Sequence, residues 1–98
     1  MSIQHTVVFR LTHDAGSPAE ERFLADARSI LTAIPGVTEF TVTAQVSPKS
    51  ALTHQFSMRF ADGAAYAAYN EHPAHVAFVA DRWVPEVAEF QEYDFVAL

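Results

Sequence analysis

The first residues of the chain alternate between apolar and polar side chains, which is the period-two pattern of a β-strand. The apolar face of this stretch carries Ile3, His5, Val7, Phe9 and Leu11. Two more alternating stretches, Phe40 to Val46 and Leu52 to Phe60, flank the turn sequence Ser47-Pro48-Lys49-Ser50 and predict a pair of strands. A last strand is predicted over about residues 90–96. Its alternation leaves open which set faces the core: Phe90, Glu92, Asp94 and Val96, or Gln91, Tyr93 and Phe95.

Helix-starting signals lie between these strands. Ser17-Pro18-Ala19-Glu20 combines an N-cap serine with a helical proline and a glutamate, and it predicts a helix that continues until Pro35-Gly36. Asp62 predicts the N-cap of a short helix. Pro73 predicts the start of another helix, with an apolar stripe of Val76, Val79, Ala80 and Trp83 before Pro85. The order βαββααβ predicts one α+β domain over residues 1–98, a four-stranded antiparallel sheet with helices on one face.

Composition excludes several classes of function. The chain has 98 residues, with 12 acidic against 6 basic side chains and a net charge of −6. Because phosphate binding needs clustered basic side chains, we expect no nucleic-acid partner. No apolar run is long enough for a membrane span and no basic signal segment begins the chain, so we expect no membrane partner and a cytoplasmic location. The sequence has no cysteine, which excludes disulfides and thiolate metal ligands.

The densest group of polar and aromatic side chains runs from Tyr69 to Phe78. Pro73 places His72 just outside the predicted helix and His75 in its first turn. The positive end of that helix favours a neutral imidazole, which is what a general base requires. The phenol of Tyr69 is suited to donate to an oxyanion. For both residues the alternative is a purely packing role with satisfied hydrogen bonds.

These residues predict a small-molecule pocket between sheet and helices. His5 and His54 project from strands onto the apolar face that the helix of His75 covers, which favours convergence on one pocket. The residues predicted to line it are His5, Val7, Phe9, Phe23, His54, Phe56, Met58, His72, Phe78, Val79 and Trp83. An alternative is a metal site made of His72 and His75 with His5, His54 or Glu92. The spacing matches no HExxH-type motif, so we expect no metal. The remaining helix carboxylates are expected to form a solvated acidic face: Glu20, Glu21, Asp26, Glu86 and Glu89.

Four segments together resemble the stress-responsive dimeric α/β-barrel family. They are Gln4 to Arg10, Ile34-Pro35-Gly36-Val37, Phe56 to Phe60, and Tyr69-x-x-His72-Pro73-x-His75-Val76. The resemblance implies a ferredoxin-like fold whose dimers join two sheets into a barrel with the helices outside. One member cyclises a linear polyketide by an aldol-type reaction, and this implies His75 as base and Tyr69 as its phenol partner. It also implies that His5 lines the pocket, that Asp94 lies near His75 and orients it, and that no cofactor is needed.

The cyclase of this family has a tyrosine on its first helix where this chain has Ala27, so the resemblance extends to acid–base chemistry and not to polyketide specificity. The leading hypothesis is a homodimer, joined through the polar sheet face, that binds a small apolar carbonyl compound and acts as a cyclase or lyase. One alternative is a non-catalytic stress-responsive dimer whose pocket is filled by bulky side chains. Another is an oxygenase-like barrel that is either cofactor-free or associated with haem.

Overall fold

The computed structural model describes residues 1–98 and has the predicted order βαββααβ, with a π-helical turn and a further short helix before the last strand. The elements are β1 (Ile3–Leu11), α1 (Pro18–Thr32), β2 (Thr38–Ala44), β3 (His54–Phe60), α2 (Gly63–Glu71), α3 (Pro73–Phe78), a π-helical turn (Val79–Trp83), α4 (Val84–Glu86) and β4 (Val87–Phe95). All strand pairs are antiparallel, in the order β2-β3-β1-β4. The predicted α+β, ferredoxin-like fold class is confirmed. No helix combines the length and the apolar character needed to cross a membrane.

The caps of the helices follow the sequence signals closely. The Ser17 hydroxyl accepts from the Glu20 backbone N–H at 3.2 Å, and the Asp62 carboxylate caps α2 by accepting from Ala65 N–H at 2.9 Å. Glu20 departs from the reciprocal capping pattern, because its carboxylate accepts from the N–H of Gly16 at 3.1 Å. Helix α1 ends at Thr32, earlier than its apolar periodicity predicts. The following turn needs Gly36, whose φ of 92° disfavours any residue with a side chain.

The core lies between the helices and one face of the sheet. Its largest fully buried side chains are Phe9, Phe23, Phe56, Phe60 and Met58. They come from β1, α1 and β3, so the two central strands and the longest helix supply most of the packed volume. Apolar burial of this kind is worth about 25 cal/mol per Å² and is the main stabilising contribution in a small domain.

The register of β4 shows which of its two alternating sets of side chains lies on the same face of the sheet as the helices. Asp94 pairs with His5, and Glu92 pairs with Val7, so both carboxylates lie on the helix-covered face of the sheet. Tyr93 pairs with Thr6 and therefore lies on the opposite, outer face together with Phe95. Both residues are nevertheless exposed, because β4 is an edge strand of the sheet, so the two carboxylates lie beside the helices and reach solvent.

The segment after α3 differs from the predicted single apolar stripe. Val76 is 54% exposed, so it does not belong to the buried face. The helix widens into the π-helical turn, in which the Val84 N–H donates to the Val79 carbonyl five residues earlier. The next residue, Pro85, has no N–H to continue an α-helical ladder. The wider turn brings Phe78, Val79 and Trp83 together toward the sheet.

Candidate functional site

A cavity of about 250 Å³ lies between the inner face of the sheet and the covering helices. Its lining residues are His5, Val7, Leu31, Phe56, Met58, Tyr69, Asn70, His75, Phe78, Val79, Trp83, Phe90 and Glu92. Most of the wall is hydrophobic, and a few polar groups converge on it, which is the usual composition of a small-molecule site. Ligand pockets commonly start at roughly 300 Å³, so this cavity suits a small compound.

Most of the residues predicted to line the pocket do lie on the cavity wall. They are His5, Val7, Phe56, Met58, Phe78, Val79 and Trp83, and the predicted catalytic pair Tyr69 and His75 lies there as well. Phe9 and Phe23, in contrast, are fully buried behind the wall and do not reach the cavity. The ring of Phe9 packs on that of Phe56, with 4.6 Å between centroids, so it supports the lining from behind.

Two histidines predicted to line the pocket also lie elsewhere. His54 stands at the start of β3, where its ring stacks on Phe9 and its Nδ1 lies 2.8 Å from the Thr53 hydroxyl. His72 caps α3, since its Nδ1 accepts from the Ala74 N–H at 3.1 Å. A histidine before a helical proline is well placed for capping, and this local role keeps the His72 ring away from the cavity.

Four residues of the wall were not among the predicted lining residues: Leu31, Asn70, Phe90 and Glu92. Leu31 belongs to the apolar face of α1 and was identifiable from its periodicity. Phe90 and Glu92 reach the wall because of the register of β4, which a single sequence does not determine. Asn70 had no distinguishing signal, because an amide at the end of a helix is common.

The imidazole of His75 is half-buried at the cavity wall, in the first turn of α3. Its Nδ1 lies 3.2 Å from the Asn70 carbonyl oxygen. A carbonyl only accepts, so Nδ1–H donates to it and Nε2 carries the lone pair. Burial lowers the pKa of His75 and nearby His5 lowers it further, which together outweigh the opposing effects of the Asn70 hydrogen bond and Glu92. The ring is therefore neutral near pH 7, with a free basic nitrogen.

Tyr69 stands next to His75, with 4.4 Å between their ring centroids. The residue is only 2% exposed, yet its hydroxyl has no hydrogen-bond partner within the protein. No fully buried side-chain polar atom in the molecule lacks a partner, so the Tyr69 hydroxyl is open to the cavity. Burial raises the pKa of Tyr69, and the nearby Tyr66 and Glu92 raise it further. The phenol stays protonated and is a donor.

A third polar group at the cavity is His5, which contacts Tyr66 and Asp94. His5 Nδ1 lies 2.7 Å from Asp94 Oδ1 and 2.9 Å from the Tyr66 hydroxyl, which also donates to Asp94 Oδ2 at 3.1 Å. Asp94 was expected near His75, but β4 pairs with β1 and places it directly opposite His5. Tyr66 was not predicted as a site residue. Its signal was the spacing of three residues from Tyr69, which puts both phenols on one face of α2.

We name His5, Tyr66, Tyr69, His75 and Asp94 the cavity cluster. The geometry of the cavity cluster does not support the alternative of a metal site, because His54 and His72 lie outside this cluster. No group of three or more His, Asp or Glu side chains in the structure is arranged to hold a metal ion.

A second polar cluster joins the helices to the end of β1 on another side of the core. Arg82 donates to Asp26 at 2.7 Å and to Glu86 at 2.6 Å, and His13 lies 2.7 Å from Glu86. We name these four residues the charge cluster. Asp26 and Glu86 were expected on a solvated acidic face, but Arg82 draws both into ion pairs. Burial alone would raise the pKa of Glu86, yet its hydrogen bonds from Arg82 and His13 outweigh burial and lower it.

Comparisons with known proteins agree with this architecture. The family model of the stress responsive A/B barrel domain matches residues 3–97. A Dabb family protein with a ferredoxin-like fold from Mesorhizobium loti is 59% identical, with a TM-score of 0.98 over 99% of this chain and 97% of that one. No match was found among curated proteins.

Two more distant structures share the fold. A dimeric ferredoxin-like protein of unknown function from Thermobifida fusca is 22% identical, with a TM-score of 0.78 over 99% of this chain and 92% of that one. A hydroxynitrile lyase from Passiflora edulis is 16% identical, with a TM-score of 0.84 over 99% of this chain and 94% of that one. At these identities the likeness extends to the fold alone.

Proposed function

The chain belongs to the stress-responsive A/B barrel family, and we propose that it binds a small carbonyl compound and transfers a proton next to the carbonyl. The observation that carries the proposal is the pair formed by His75 and Tyr69 on the wall of an apolar cavity. One residue offers a basic nitrogen and the other a phenolic donor, and neither group is used inside the protein. One solved structure with this fold is a hydroxynitrile lyase, and lyase activity is compatible with this class of reaction.

The chemical step follows from the two free groups. His75 Nε2 takes a proton from the carbon next to the carbonyl, and the C–H electron pair becomes the carbon–carbon double bond of an enolate. The carbonyl π pair moves onto oxygen, where the Tyr69 hydroxyl donates a hydrogen bond to the developing charge. Return of the proton from His75 to a different atom of the enolate gives isomerisation. Attack of the enolate carbon on a second carbonyl forms an alkoxide, which takes the proton from His75 to give an aldol product. The reverse of that addition is a lyase reaction.

The size of the cavity limits the ligand. At about 250 Å³ it holds a small aryl or alkyl ketone in contact with Phe56, Phe78 and Trp83, but not a long polyketide chain. The alternative of a pocket filled by these bulky side chains loses its support, because they form a wall around open space. Cyclase or lyase activity on a compact substrate is the form of the proposal that the geometry favours.

The test uses benzylacetone, a small aryl ketone, dissolved in D₂O with the purified protein. Loss of the α-proton signals in ¹H NMR reports proton transfer at the carbon. We expect His75→Ala to reduce the catalysed exchange about 10²- to 10⁴-fold. His72→Asn is the matched control, because it removes a neighbouring imidazole but keeps a capping acceptor for Ala74 N–H. Exchange in His75→Ala at the wild-type rate would remove His75 from the mechanism.

We further propose that two copies pair through the outer face of the sheet. Tyr93 and Phe95 are 46% and 50% exposed there, and their rings stack with 6.1 Å between centroids. Paired apolar rings among Thr, Gln and Arg side chains favour association through a mixed surface. We expect Phe95→Asp to convert the dimer to a monomer in analytical ultracentrifugation, whereas Val46→Asp, at another exposed apolar position, leaves it dimeric.

A further inference from the structure

Only one ring nitrogen of His5, Nδ1, has hydrogen-bond partners in the protein. Asp94 and Tyr66 both lie within 2.9 Å of Nδ1, whereas Nε2 has no partner in the protein. His5 is a buried residue that lines the cavity, and no fully buried side-chain polar atom lacks a partner. Nε2 is therefore open to the cavity, on the side of the ring away from β4.

The carboxylate of Asp94 determines which nitrogen of His5 carries the proton. An ionised carboxylate only accepts, so at 2.7 Å it requires a proton on Nδ1. Tyr66 reinforces this arrangement, because its hydroxyl donates to the other carboxylate oxygen at 3.1 Å and presents its own oxygen to Nδ1–H. In a neutral His5 ring, Nε2 is then a hydrogen-bond acceptor that faces the ligand.

We propose that Tyr66 and Asp94 are positioning residues that hold His5 as a second acceptor in the cavity, directed at a hydroxyl group of the ligand. The inference rests on the proposed function in that the ligand is a carbonyl compound held near Tyr69. The cavity then offers one donor, the Tyr69 phenol, and two acceptors, His75 Nε2 and His5 Nε2. A β-hydroxy ketone matches this set, since its carbonyl accepts from Tyr69 while its hydroxyl donates to His5.

The first experiment reads the position of the proton directly. Long-range ¹H–¹⁵N spectra of the whole protein at pH 8 distinguish a protonated ring nitrogen from a free one. We expect wild-type His5 to carry its proton on Nδ1. Asp94→Asn should lower the Nδ1–H fraction below one half, because the amide no longer requires a donor, and Tyr66→Phe should lower it by a smaller amount. Tyr93→Phe removes a phenol hydroxyl that bonds Gln91 on the outer face and should leave His5 unchanged.

The second experiment tests the hydroxyl group with two ligands. The aldol adduct of acetone and benzaldehyde differs from benzylacetone only by its hydroxyl. In NMR titrations we expect the wild-type protein to bind the adduct about threefold to tenfold more tightly, the worth of one hydrogen bond. That preference should disappear in Asp94→Asn, and the loss of affinity for the adduct should exceed any change in the affinity for benzylacetone.

These outcomes separate the inference from the proposed function. A proton on Nε2 of wild-type His5, or unchanged His5 signals in both Asp94→Asn and Tyr66→Phe, overturns the positioning role. An equal affinity for the two ligands, or binding of neither, overturns the assignment of the hydroxyl. Unchanged proton exchange in His75→Ala, by contrast, overturns only the proposed reaction, because the position of the His5 proton is measured without turnover.

Discussion

The cavity cluster and the charge cluster are built from similar residue types, but they use their polar atoms differently. In the charge cluster, Arg82 bonds two carboxylates and His13 bonds one of them again, all within 2.7 Å. In the cavity cluster, Tyr69 and His75 each keep a polar atom without a protein partner. Opposite charges that satisfy one another stabilise a fold, whereas unpaired polar groups beside a cavity are available for a ligand. The comparison therefore separates a structural site from a candidate reactive site.

Removing the Tyr69 hydroxyl tests the cavity cluster most strongly. In Tyr69→Phe we expect proton exchange on benzylacetone to fall about 10²-fold, because the enolate oxygen loses its donor. The melting temperature should stay within about 2 °C, since the hydroxyl bonds nothing in the free protein. Calorimetry and ¹H NMR on the same sample check both statements. A variant that melts much earlier would show instead that the hydroxyl has a structural role.

Removing Arg82 should lower the stability of the fold and leave proton exchange unchanged. Arg82→Met keeps most of the side-chain volume but leaves Asp26 and Glu86 without their cation, and we expect a loss of about 2 kcal/mol in unfolding free energy. For a domain of this size that corresponds to roughly 10 °C in melting temperature. Arg22→Met, at an exposed position without an ion pair, is the control and should change stability by less than about 0.5 kcal/mol. Proton exchange below the melting temperature should not change, and a large loss of exchange would link the two clusters.

Acid titration tests the charge cluster separately, because the pKa of Glu86 is lowered from 4.5 in the folded protein. The folded state then binds fewer protons than the unfolded state. The ionised Glu86 carboxylate therefore makes its full contribution to stability above pH 4.5, and this contribution is lost as the pH falls through the folded pKa. In urea titrations, Glu86→Gln should therefore lose less stability on acidification below pH 4.5 than the wild type. Glu89→Gln, which changes an exposed carboxyl group without an ion pair, should follow the wild type. Parallel pH profiles for the wild type and Glu86→Gln would contradict the role of the charge cluster.

The smallest effect on the pH dependence of stability is expected from His75. Its pKa is lowered from 6.5 in the folded protein, so the unfolded state binds more protons just below that pH and stability falls as the pH decreases through 6.5. His75→Gln lacks this loss. Urea unfolding at pH 7 and pH 5 should therefore show a smaller decrease for the variant than for the wild type, and an equal decrease would mean that the buried ring carries no such linkage. The candidate base thus makes the fold less stable in acid, as expected of a group placed for chemistry.

Local patterns in the sequence were sufficient to predict the four strands and the three main helices, but not the π-helical turn or α4. Ser17 and Asp62 cap the helices that they were expected to start, and strict alternation identified β1 and β3. The motif around His75 likewise placed Tyr69 and His75 on one wall. These features depend on the spacing of residues within one segment, which can be read directly from the sequence.

The partners of the polar side chains depend on contacts between distant segments, and they were harder to predict. Asp94 was expected beside His75, but the pairing of β4 with β1 joins it to His5, 89 residues away in the chain. His54 and Phe9 face the correct side of the sheet, yet neighbouring rings separate them from the cavity. Alternation identifies a face of the sheet, whereas depth and register along that face are fixed by packing.

The π-helical turn makes the cavity wall sensitive to the length of the chain. Each residue advances a helix by about 100°, so a turn that holds one residue more than the α-helical repeat changes the direction of every side chain after it. Trp83, which closes the wall and contacts Phe90 with 5.5 Å between ring centroids, lies at the end of this turn. Deleting exposed Ala80 would rotate the indole away from the cavity by roughly this angle. An insertion or deletion between α3 and β4 would therefore reshape the pocket even though no lining residue had been changed.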